Sequence, residues 1–153
     1  MARFHRIFRL LVLLGVAAST SMATPGASAA VCTETGTNGD DVLTGTPDAD
    51  ILCGRAGDDL VSAGPGNDVL HGGPGRDDLN GGTGIDVLRG GRGRDSLLGG
   101  RGADEFRGGR RGDVLNAVDG VNGNDFVDGG PGHDVCRADL GDAVIHCEDR
   151  VIV

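Results

Sequence analysis

Eleven aspartates recur in one frame: Asp41, Asp50, Asp59, Asp68, Asp77, Asp86, Asp95, Asp104, Asp113, Asp125 and Asp134. The first nine are nine residues apart, and an insertion, residues 117–119, precedes the last two. A carboxylate can bind a hard cation, and the backbone between these aspartates is rich in glycine, which lets carbonyl oxygens approach closely. Two carboxylates with several carbonyls form the all-oxygen set that Ca²⁺ takes at 6–8 coordination, whereas Mg²⁺ asks for a stricter octahedron and Zn²⁺ for His or Cys.

These aspartates sit in nonapeptides. The first is GTNGDDVLT from Gly36, and central examples are GGPGRDDLN from Gly72 and GGTGIDVLR from Gly81. Position six is Asp in all eleven. Position eight holds Leu43, Leu52, Val61, Leu70, Leu79, Leu88, Leu97, Phe106, Leu115, Val127 and Cys136. The period predicts a glycine-rich turn of six residues and a strand of three, with the eighth side chain pointing inward. Two such units make a flattened coil of 18 residues, and stacked coils put residue i over i+18 at about 4.8 Å. The fold class is therefore all-β, with two parallel sheets around a thin core. Stacking also makes two aspartate columns, in which neighbours about 5 Å apart repel by roughly 0.8 kcal/mol even in water-like dielectric. With no Lys in the chain, cations between successive members are the expected remedy.

The pattern GGxGxDxUx resembles the RTX (repeats-in-toxin) haemolysin-type calcium-binding repeat. The resemblance spans 36–137 and implies a right-handed parallel β-roll. It implies several Ca²⁺ ions held between turns of units n and n+2, with all eleven position-six aspartates as metal ligands beside turn carbonyls. Eleven units leave at most nine such gaps, of which about five to seven are expected to fill. Asp48 and Arg111 replace Gly at position four, and the 117–119 insertion is expected to break the i+18 register before Asp125.

Residues 1–30 read as a secretory signal peptide: Arg3, Arg6 and Arg9, the apolar run 10–18, and an Ala-Ser-Ala-Ala end. The apolar run is too short to span a bilayer core of about 30 Å. The remaining chain divides into an N-terminal cap (31–35), the repeats (36–137) and a C-terminal cap (138–153), and it is expected to be extracellular with no membrane span after cleavage. Loss of the three leader arginines takes the formal charge from −9 to −12. Such a chain, rich in Gly and Asp, buries too little apolar surface to fold unaided.

The four cysteines, Cys32, Cys53, Cys136 and Cys147, suit disulfides in a secreted chain. Three pairings exist. Cys32–Cys53 with Cys136–Cys147 would staple the two ends, where terminal coils expose their apolar faces. Position seven is apolar in eight units and should point outward. His71, His133 and His146 are expected at the surface. Seven arginines between Arg89 and Arg111 read first as charge relief beside the aspartate columns, and second as a patch for an acidic polysaccharide or other surface polymer.

The composition excludes several classes. Gly and Asp in place of Ala, Leu, Glu and Lys argue against a helical bundle. Five Pro without a three-residue Gly period exclude collagen, and negative charge without Trp or Tyr excludes a nucleic-acid binder. No Ser lies in a nucleophile elbow, no zincin motif is present, and no Lys completes a phosphate loop. The expected function is calcium binding in a non-enzymatic structural or adhesive module with a cell-surface or extracellular polysaccharide or protein as partner. The alternative is an accessory of an RTX-type secreted protease, lipase or epimerase, but 31–35 and 138–153 cannot hold a catalytic domain.

Overall fold

The computed structural model describes residues 31–153, so the signal-peptide reading of 1–30 lies outside the described residues. Fourteen strands follow in chain order: β1 (Glu34–Thr35), β2 (Val42–Thr44), β3 (Ile51–Cys53), β4 (Leu60–Pro65), β5 (Val69–Pro74), β6 (Asp78–Thr83), β7 (Val87–Arg92), β8 (Ser96–Arg101), β9 (Glu105–Arg110), β10 (Val114–Asn116), β11 (Phe126–Asp128), β12 (Val135–Ala138), β13 (Ala143–Ile145) and β14 (Asp149–Ile152). Odd strands form one seven-stranded sheet and even strands another, each ordered along the chain. Every pairing is parallel, so the chain alternates between two sheets as a β-roll of about seven turns, with no helix among the described residues.

The register follows the nonapeptide. Leu52 pairs with Leu70, Leu70 with Leu88 and Leu88 with Phe106, while Leu43, Val61, Leu79, Leu97 and Leu115 stack in the other sheet. These position-eight side chains are buried and form the core. Position seven points out: Val42 is 74% exposed and Leu60 48%. Each stack carries a charge at one end, Glu34 against Leu52 in the odd sheet and Arg150 against Cys136 in the even one, while Val144 and Leu43 form the opposite ends. A charged last rung keeps the apolar column from meeting a second molecule at that end.

Two expectations need correction. In the central units the strand runs six residues, not three, because positions one to three continue the ladder: Gly64 pairs with Gly82 and Gly73 with Gly91. Only positions four to six turn. Glycine joins a strand here because position one is closely packed and takes nothing larger than the methyl groups of Ala63 and Ala117. A Cβ on Gly108 would lie 2.6 Å from both Asp113 Oδ2 and the Gly129 carbonyl.

The insertion does not interrupt the stacking. Phe106 pairs with Val127 and Leu115 with Cys136, a step of 21 instead of 18. Buried Ala117 takes position one, its N–H donating to the Arg137 carbonyl as Gly45 donates to Ser62. The tenth unit therefore begins structurally at Ala117 rather than Gly120, and the extra residues loop out within the turn. Beyond Arg137 the ladder goes on, with β13 pairing to β11 and β14 to β12.

Both terminal disulfides form in the expected pairing, Cys32–Cys53 and Cys136–Cys147. Among the described residues no helix is long and apolar enough to cross a membrane.

Candidate metal centre

Stacking places the position-six aspartates in two columns. One runs Asp41, Asp59, Asp77, Asp95, Asp113 and Asp134. The other runs Asp50, Asp68, Asp86, Asp104 and Asp125. In both, the backbone N–H of one aspartate donates to Oδ1 of the next, as from Asp59 to Asp77 at 3.0 Å and from Asp68 to Asp86 at 2.9 Å. Across the insertion the same bond persists, from Asp104 to Asp125 and from Asp113 to Asp134, each at 2.7 Å. Asp125 and Asp134 thus belong to the columns.

Oδ1 is thereby committed to the backbone, which leaves Oδ2. In Asp59, Asp68, Asp77, Asp86, Asp95, Asp113, Asp125 and Asp134 this second oxygen is buried and has no hydrogen-bond partner. A buried carboxylate oxygen without a partner is costly and is resolved by protonation or by a cation. Burial pushes Asp77 and Asp86 up to about 6, and Asp113 and Asp125 to about 7. The backbone N–H bond opposes this rise, and the negative neighbours in the column add to it.

The neighbouring oxygens are backbone carbonyls. The position-four carbonyls of Gly57, Gly66, Gly75 and Gly84 accept no backbone bond among the described residues. Position four stacks tightly, since a Cβ on Gly66 would lie 2.8 Å from the Asp48 carbonyl two units before. No three acidic, His or Cys side chains converge among the described residues, so the donor set is one or two carboxylates with carbonyls. This all-oxygen set fits Ca²⁺ and lacks the nitrogen or sulfur that Zn²⁺ prefers.

Residues 35–70, 54–88, 71–106, 80–115 and 108–145 match the model of the RTX calcium-binding nonapeptide repeat (4 copies). The chain belongs to this family. No curated protein and no solved structure matches the chain. As an RTX repeat protein it binds calcium, with the eight orphaned carboxylates the residues fitted to hold the ion.

The first two aspartates differ from the rest. Thr37 donates to Asp41 Oδ2 through its N–H at 2.6 Å and its hydroxyl at 3.0 Å. Thr46 does the same for Asp50, and its N–H holds that carboxyl below the usual carboxylate range. Units three to nine and unit eleven have Gly or Arg at position two with positive φ, as at Gly64 and Gly73, and send no such bond, and in unit ten the Val118 N–H donates to Asn116 instead.

Three acids outside the repeat frame were missed. Glu148 ends one column, its Oε2 accepting from the Asp134 N–H at 2.8 Å, and Asp142 ends the other, its Oδ1 accepting from Asp125. Buried Asp139 accepts from the N–H groups of Asp119 and Gly120 and so pins the insertion. The usable signal was Ala143-Val144-Ile145, a strand triplet with Asp immediately before it, hidden because that last unit is one residue short.

Proposed function

We propose that this protein is a secreted, non-enzymatic calcium-binding module whose roll assembles on calcium outside the cell and serves a structural or adhesive purpose. The observation that carries the reading is the run of eight buried, partnerless Oδ2 atoms. Among the described residues no arginine reaches them. The described arginines make one ion pair, Arg107 with Glu105 on the outer surface, and no carboxylate of the columns takes part. Calcium supplies the missing positive charge when bound. The chain's own residues do the rest: the N–H ladder fixes each carboxylate, glycine keeps the turns close, and position eight excludes water from the core.

Binding free energy at such sites is folding free energy. Extracellular calcium, at about millimolar, matches weak extracellular modules and would mark the chain's exit from the cell. Two disulfides fit the same oxidising compartment. The test is a far-UV spectrum with Ca²⁺ and with chelator. The expected result is loss of β-structure on chelation and its return on re-addition. A spectrum that chelator leaves unchanged overturns the folding claim.

A further inference from the structure

The two turn edges of the roll carry different charge. At positions three to five, the odd-numbered units five, seven and nine place Arg76, Arg92, Arg94, Arg110 and Arg111 along one groove. The equivalent even-numbered turns hold Pro65, Gly66 and Asn67, then Thr83, Gly84 and Ile85, then Arg101, Gly102 and Ala103, a single arginine in three rungs. Ladder pairing stacks Arg92 on Pro74 and places Arg110 one rung further along the same edge. Among the described residues none of the five has a carboxylate within ion-pair distance. One acid, Asp58, lines the groove, and its Oδ1 accepts from the Arg76 backbone N–H at 2.8 Å. The arginines therefore do not relieve the aspartate columns by contact.

Arg111 adds a second sign. It occupies position four with φ 86°, where the other odd turns have Gly57, Gly75, Gly93 and Gly132. An L-residue adopts that backbone only at a cost, so the charge sits where folding alone would favour glycine.

We propose that the odd-turn edge is a docking surface for a linear acidic polysaccharide, whose successive carboxylate or sulfate groups meet arginine rungs about 4.8 Å apart. Guanidinium forks bind such oxyanions with two parallel hydrogen bonds. The groove has no aromatic lining on which nucleic-acid bases could stack. The inference deepens the adhesive reading above and rests on it in one respect, that calcium assembles the stacked turns.

The experiment measures binding of the protein to immobilised chondroitin sulfate in calcium, with neutral dextran and phosphatidylglycerol vesicles as comparison surfaces. Chondroitin sulfate should bind, dextran should not, and salt should weaken the binding. The R92S/R94S/R110S variant should bind about tenfold more weakly, with an unchanged calcium titration and far-UV spectrum. R89S/R101S/R137S, with the same loss of charge elsewhere, should change binding less than about twofold. Arg111→Gly should weaken binding while raising the thermal midpoint. The inference is overturned if a calcium-folded wild type ignores chondroitin sulfate, if it binds only the vesicles, or if R92S/R94S/R110S binds as wild type does. Should chelator leave the spectrum unchanged while R92S/R94S/R110S still loses the polysaccharide, the calcium reading fails and this one stands.

Discussion

The first two units and the central units share the same aspartate but satisfy it differently. At Asp41 and Asp50 a threonine at position two supplies two donors to Oδ2. At Asp77 and Asp86 position two is a glycine with positive φ, Gly73 or Gly82, and Oδ2 is buried without a partner. Position six therefore does not define a metal site by itself. The residue four places before it decides whether the protein closes the carboxylate or leaves it for an ion. The first two turns satisfy this oxygen from within the chain, and on the proposed reading the central turns rely on calcium to do so.

The largest effect should come from breaking the middle. Asp77 lies between Asp59 and Asp95 in its column. Asp77→Ala should remove about two calcium equivalents and split the array into weaker halves, because each coil is stable only through its neighbours. Asp41→Ala, at a threonine-closed site, should remove one at most. Calorimetric calcium titration of both variants checks the contrast, and equal losses would abolish it.

Acid is the next lever. The central carboxyls have folded-state values of about 6 to 7, above the usual 3.8. A raised carboxyl favours the fold below its unfolded value, and that advantage is lost as pH rises through the folded value. In chelator, lowering the pH from about 7 to about 4 should therefore promote β-structure, which far-UV spectra would register. In calcium the same change should release the ion, since protons compete for Oδ2.

A smaller effect should sharpen the comparison. Thr46→Gly removes the hydroxyl donor from Asp50 and frees position two to take the positive φ that leaves Oδ2 without a partner in the central units. It should cost about 1 kcal/mol without metal and add a calcium equivalent to the titration. Smaller still, Asp78→Ala should leave calcium binding within error, because Asp78 is exposed at position seven on the outer face. Asp134→Ala, where Glu148 closes the column, should cost one equivalent or none.

Much of this was legible in the sequence, because a repeat announces geometry. The period gave the i+18 register, the Leu and Val stacks and the aspartate columns, and the end positions of the cysteines suggested their pairing. The threonine closure was not legible, since nothing in the spacing says whether a position-two N–H turns toward Oδ2. Glu148 and Asp142 were hidden by shortened units. Ala117 was hidden because Gly120 offered a more familiar start to the tenth unit. The six-residue strands were missed because glycine's poor strand preference was given more weight than the close packing of position one.

The outlooped turn at 117–123 has a consequence for how such a molecule can change over time. Three added residues leave the strand pairings on either side intact, with Asp139 receiving the loop's N–H groups. Growth in the turn thus costs nothing to the neighbouring rungs, whereas a single residue added within a strand would reverse every side chain after it. Copy number and turn length are independent variables in this architecture. New segments can be spliced into a turn and retained or discarded without renegotiating the scaffold, which makes the tenth turn the natural place to graft a foreign peptide for display.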